Sequence, residues 1–165
     1  VDDRRRYDCL EVQAKHLMFN EDVDLVYSDC LQTKEINETF ESNSSDGGLY
    51  GHSKNKFSKE NMIKCLPGPM PMWRRKIHDE IGLFSYEYDY ANDWDMWLRM
   101  VDAGSKFKKI EERLGLYLFN EKGRSTSKET FALKIKEEAK LFFKYKHIFG
   151  EKNFQKYQNH FSQGL

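Results

Sequence analysis

Three observations predict a mixed α/β fold. Residues 94–101 carry a helical apolar stripe. Val23–Ser28, rich in β-branched and aromatic residues, and the loosely alternating stretch 107–119 read as strands. Helical and strand-like segments alternate in the order helix, strand, loop, helix, helix, strand, helix. The chain of 165 residues fits one ordinary domain, and no internal repeat is evident.

The first helix is expected to begin near Asp8, because Asp8 followed by Glu11 makes a capping-box start. Leu10, Ala14, Leu17 and Met18 follow at helical spacing, and Asn20-Glu21-Asp22 breaks the pattern. Val23 to Ser28 is the first strand. Residues 32–60 are polar, and Ser42 to Gly48 has loop chemistry, so a hairpin or a mobile excursion is expected there. Leu66-Pro67-Gly68-Pro69-Met70-Pro71 holds all three prolines and predicts a stiff, extended segment. A helix over 74–80 then stops near Gly82.

The clearest helix starts at Asp93. Trp94, Trp97, Leu98 and Val101 fall at i, i+3, i+4 and i+7. Asp95 and Arg99 form an i, i+4 pair on another face, and Gly104 is the expected C-terminal cap. Phe107 to Phe119 forms one long strand or two short ones, followed by a turn at Asn120–Gly123. Thr126 and Glu129 make a second capping box. Ala132, Ile135, Ala139, Phe142 and Phe143 mark a long helix ending near Gly150, and Phe154, Tyr157 and Phe161 mark a short one after it.

Composition narrows the function classes. Lys plus Arg is 27 and Asp plus Glu is 27, giving a net charge of zero, which argues against a dedicated nucleic-acid binder. Twelve Phe, nine Tyr and three Trp supply the burial that disordered chains lack. No apolar run reaches the ~20 residues of a membrane helix, and no signal peptide is visible. Cys9, Cys30 and Cys65 are too few and too scattered for a disulfide framework, so they read as reduced cytosolic thiols. The abrupt opening at Val1 reads as a piece of a larger protein.

Four constellations could carry chemistry. Asp2-Asp3 offers adjacent hard carboxylates for Mg²⁺ or Mn²⁺, or two solvated side chains. Asp93, after Asn92, places a carboxylate at a helix N-terminus, where it is either a cap or a positioned general base. The run around Met72, Trp73 and Arg74 could line a ligand groove or pack a core Trp; His78 just beyond it has no evident partner. Gly123 to Ser127 could meet an anion before a helix, but no Walker or dinucleotide pattern occurs.

Taken in order, these segments resemble the second half of a family 2 glycosyltransferase of the GT-A fold. The matching stretches are Val1-Asp2-Asp3-Arg4-Arg5, Asp22 to Asp29, Pro71-Met72-Trp73-Arg74-Arg75, Ile81 to Phe84, Asn92-Asp93-Trp94-Asp95-Met96-Trp97-Leu98-Arg99, and Ala103 to Lys108. The resemblance covers residues 1–127 and leaves 128–165 as a helical extension. It implies a partial GT-A fold and transfer of a sugar from a nucleotide-sugar donor to an acceptor hydroxyl, with inversion. Asp93 matches the general base. Asp2 and Asp3 match the end of the motif that holds Mn²⁺ or Mg²⁺ and the donor diphosphate. Met72, Trp73, Arg74, Asn92 and Trp94 fall on the acceptor side. Asn92 stands where the family has Glu. The resemblance also implies a cytoplasmic enzyme acting on a sugar or glycolipid acceptor, with peripheral association of the parent protein at the inner membrane face. The competing reading is a non-catalytic binding or interaction module of the same fold.

Overall fold

The computed structural model describes residues 3–51, 54–120, 123 and 127–165. The elements are β1 (Arg4–Arg5), α1 (Cys9–Met18), β2 (Leu25–Thr33), β3 (Met72–Trp73), α2 (Lys76–Ile81), α3 (Asn92–Asp102), β4 (Phe107–Leu118), α4 (Lys128–Lys144), α5 (Lys146–Phe149) and α6 (Glu151–Ser162), with a 3₁₀ turn at Glu60–Ile63. The sheet order is β1-β4-β2-β3. β2 and β4 run parallel at the centre, and the two short edge strands pair antiparallel to them.

The centre of the sheet is covered on both faces, as parallel strands require. Leu25 and Tyr27 point into one core and Val26 into the other. The smaller core joins β2 and β4 to Cys9 and Leu17 of α1. The larger holds α2, α3 and the C-terminal helices together, with Trp94, Trp97, Leu98, Ala139, Phe142, Phe149 and Phe161 in one cluster. Among the described residues no helix is long and apolar enough to cross a membrane.

Several local expectations are corrected. Asp8 is the N-cap residue of α1, yet its carboxylate makes no capping bond. Arg6 reaches it first, donating from Nε to Oδ1 at 2.5 Å and from Nη2 to Oδ2 at 3.0 Å, and a forked charge-assisted pair outcompetes a backbone amide. The buried face of α1 is Cys9, Gln13 and Leu17, while Leu10 and Met18 are 56% and 70% exposed. Gln13 is accommodated because its amide donates to the Met70 carbonyl at 2.7 Å. The proline-rich stretch is a turn, not an extended arm: Leu66–Pro69 folds back with Gly68 at φ 66° and its N–H donating to the Cys65 carbonyl. The long helix ends at Lys144, short of Gly150, and Ala132 is exposed. The second capping box rests on Thr126, which lies outside the described residues.

Other expectations hold. Trp94, Trp97, Leu98 and Val101 are all buried. Gly104, at φ 91°, ends α3 in a Schellman motif: its N–H donates to the Val101 carbonyl, and the Ser105 N–H donates to that of Met100. The 107–119 segment is one strand. β4 bulges where Ser28 faces Ile110 but Asp29 faces Arg113, which places Lys109 against Asp29 (3.1 Å) in a nearly buried ion pair. The polar excursion closes as a loose hairpin, Leu49 bridging Leu31.

Candidate functional site

The first turn of α3 opens into a cavity of about 380 Å³. Four parts of the chain build its walls. Tyr50 comes from the polar excursion, and Ile63, Lys64, Cys65 and Gly68 come from the 3₁₀ turn and the proline turn. Tyr90, Ala91, Asp93 and Trp94 come from the start of α3, and Lys134, Glu138, Tyr157, His160 and Phe161 from α4 and α6.

Asp93 is the exposed carboxylate of this cavity. Its orientation is fixed from two sides. The Trp94 N–H donates to Oδ1 at 2.7 Å, and the Cys65 thiol donates to Oδ2 at 3.5 Å. Trp94 forms the apolar floor: its Nε1–H donates to the Met62 carbonyl at 2.8 Å, and its ring stacks on Phe149 and Phe161, each 6.1 Å away. An aromatic plane beside a carboxylate suits a ligand that offers an apolar face and hydroxyl groups.

The cavity also shifts its own acids. Burial pushes the Cys65 thiol well up, and the charge of Asp93 and their hydrogen bond add to it. Burial likewise raises Glu138. The charges of Lys134 and His160 oppose that rise, and Asp93 adds to it. Lys134 Nζ lies 3.7 Å from Glu138 Oε1. Tyr50 is raised, first by burial and then by the nearby Cys65, Tyr117 and Asp93. Two carboxyl groups thus line one cavity: Asp93, which is exposed, and Glu138, whose burial makes it hold a proton more tightly than a free carboxyl.

The structure brings only part of the expected set together. Asp93 and Trp94 line the cavity. Asn92 is half-buried beside them and does not line it. Met72 pairs with Val26 in the sheet. Trp73 packs edge-on to Trp97 at 5.2 Å and donates from Nε1 to His78 Nε2 at 3.0 Å, so His78 has a partner after all. Arg74 is taken up by backbone, donating to the carbonyls of Val23 (2.8 Å), Leu17 (2.5 Å) and Asn20 (3.1 Å). Asp3 accepts the Leu118 N–H on Oδ1 at 3.0 Å; it does not line the cavity, although its charge acts on Tyr50, which does. Asp2 lies outside the described residues, as do Arg124, Ser125 and Thr126 of the anion-loop candidate. Among the described residues no three His, Cys, Asp or Glu side chains are grouped as a metal shell.

Sequence reasoning missed Tyr50, Cys65, Tyr90, Glu138 and His160 as cavity residues. Tyr157 and Phe161 were visible only as an apolar helix face. Glu138 precedes Ala139, a marked core position, but one polar residue beside a core position is ordinary helix patterning. Neither a known protein-family model nor a curated protein matches the chain.

Proposed function

We propose that this chain carries the acceptor side of a nucleotide-sugar-dependent glycosyltransferase of GT-A type, with Asp93 as general base in an inverting displacement. The observation that carries the reading is Asp93 itself. Its carboxylate is exposed in a cavity, held by Trp94 N–H and the Cys65 thiol, and it sits beside an aromatic floor. Removing a proton from a sugar hydroxyl needs one oriented carboxylate within reach of that hydroxyl. The ordered resemblance of residues 1–127 to family 2 glycosyltransferases supports the same role. So does the mixed sheet flanked by helices, which is the coarse architecture such a domain has.

A divalent Mn²⁺ or Mg²⁺ would supply the positive charge that a departing diphosphate requires. The residues proposed to hold it are Asp2 and Asp3, whose hard oxygens suit either ion. Such a protein would take a nucleotide-sugar donor and a sugar or glycolipid acceptor, without nucleic acid, in the cytoplasm or at the inner face of a membrane.

The test is a panel of UDP-, GDP- and dTDP-sugars with Mn²⁺ or Mg²⁺, run with candidate sugar acceptors on the chain together with whatever sequence naturally precedes it. Transfer that is lost in Asp93→Asn supports the proposal. Transfer undiminished in Asp93→Asn refutes the assignment of the base. One observation favours the non-catalytic module: Asp3 is engaged by a backbone amide in the sheet. Saccharide binding in the cavity with no transfer from any donor would favour that reading.

A further inference from the structure

The N-cap residue of α3 is Ala91, which has no side-chain oxygen to cap the helix. The amides that lead into the helix are nevertheless satisfied. Glu137, on α4, accepts the Asp89 N–H on Oε1 at 3.0 Å, and the N–H groups of Tyr90 and Ala91 on Oε2 at 2.7 and 3.0 Å. Three successive backbone amides converge on one carboxylate, the geometry of an anion nest. The anion here is a side chain of the same protein, brought from 46 residues away along the chain.

This contact lies directly on the path to Asp93. The Ala91 carbonyl accepts the Asp95 N–H at 2.9 Å and so opens the helix. Asp93 stands two residues beyond Ala91, in the first turn. Rotation of the peptide planes at 89–91 would therefore swing the first turn, and the Asp93 carboxylate with it. A negative charge at a helix N-terminus is also favoured by the helix dipole.

We infer that Glu137 is a positioning residue for Asp93: its carboxylate anchors the three backbone amides that lead into α3 and so fixes where the Asp93 carboxylate points in the cavity. The inference rests on Asp93 as the working group of the site, and it adds α4 to the machinery that orients it. It extends neither to substrate contact nor to proton transfer, since Glu137 does not line the cavity.

Cys65 provides a reporter that needs no enzymatic activity. Its thiol donates to Asp93 at 3.5 Å, and the charged groups acting on it are Asp93 of α3 and Glu138 of α4. The experiment measures the rate of Cys65 alkylation by iodoacetamide against pH, resolved by peptide mass spectrometry, on the full chain. Four proteins are compared: the parent, Asp93→Asn, Glu137→Gln, and the double variant. Glu137→Gln keeps the length of the side chain and one acceptor oxygen; Glu137→Ala repeats the cycle where it folds, checked by circular dichroism.

Displacing or neutralising Asp93 lowers the thiol midpoint, and each unit of that change raises the rate at fixed pH about tenfold. The expected result is a rise of roughly threefold or more at pH 8.5 in Glu137→Gln and in Asp93→Asn, with no further rise in the double variant. Three outcomes would overturn the inference: no change on replacing Glu137, an equal rise in the Asp93→Asn background (general loosening), or an Asp93→Asn variant that itself leaves Cys65 unchanged. Because no sugar donor enters this experiment, its failure is distinct from failure of the transferase reading, which only the donor panel can decide.

Discussion

Replacing Phe142 by Ala tests whether the C-terminal helices belong to the core that supports the cavity. Phe142 is fully buried. Its ring meets Phe161 at 4.3 Å, Phe154 at 5.0 Å, Phe143 at 5.2 Å and Phe149 at 5.6 Å. Phe149 and Phe161 in turn stack on Trp94, the cavity floor. Truncating a buried Phe costs about 3–5 kcal/mol, because transfer and cavity terms add. Losing four ring contacts places this site in the upper part of that range, about 4 kcal/mol. For a chain of this size that lowers Tm by on the order of 10 °C. With an m-value of about 2 kcal/mol/M, the urea midpoint falls by about 2 M. The assay is urea unfolding followed by tryptophan fluorescence, which reports Trp73, Trp94 and Trp97, and by far-ultraviolet circular dichroism. Phe142→Leu, which keeps most of the volume, should lose only about 1–2 kcal/mol. A loss below about 1.5 kcal/mol for Ala, or a separate early transition that leaves the tryptophan signal in place, would refute the reasoning.

Other perturbations give equally definite outcomes. Arg99 donates to Asp95 Oδ2 (2.8 Å) and to the carbonyls of Ile81 (2.7 Å) and Leu83 (2.9 Å), and Asp95 is 1% exposed. Arg99→Ala should therefore cost about 3–5 kcal/mol in urea unfolding, while Asp95→Leu with Arg99→Met recovers much of it. Glu138 has its carboxyl raised above 4.5 by burial, so the folded state holds the proton more tightly than the unfolded chain. Its stabilising contribution is full below that ordinary value and is lost as pH rises through the raised one. Thermal unfolding should find Glu138→Gln more stable than the parent at pH 8 and equal to it at pH 4. A Cβ at Gly115 would run into Met70 Sδ and lie 3.1 Å from the Arg4 carbonyl; Gly115→Ala should cost about 1–3 kcal/mol, partly restored when Met70 is also shortened.

The stretches whose periodicity was strong are the ones the structure reproduces. α3 was legible because four apolar residues on one stripe all go to the core, and Gly104 supplies the left-handed residue its end requires. β4 was legible only from a loose alternation, which the bulge opposite Asp29 interrupts. The edge strands were not: Arg4–Arg5 and Met72–Trp73 are pairs of residues, and two residues carry no period. α1 was placed correctly but turned wrongly. Leu10 and Met18 look like core residues, and Gln13 does not. Gln13 goes inside because a carbonyl from the proline turn, remote in sequence, is there to receive its amide. The site divides in the same way. Asp93 could be singled out from its position at a helix start, since a helix N-terminus is local chemistry. Arg74 could not be read, because its three carbonyl partners cluster only when α1 ends beside β3. Cys65 and Glu137 act through contacts that span 28 to 48 residues, which no local pattern encodes.

The cavity has a consequence in time as well as in space. Its walls come from residue 50, residues 63–68, residues 90–94 and residues 134–161, so the enclosure is incomplete until the last helix has been synthesised. Chains grow at about 5–20 residues per second and fold as segments emerge. Between the emergence of α3 and that of α6, Trp94 has neither Phe149 nor Phe161 to cover it. For those seconds the growing chain presents an aromatic surface that the finished protein hides. Any delay in the arrival of α4–α6 lengthens that interval of stickiness, and a chaperone that binds nascent aromatic segments would find its window there.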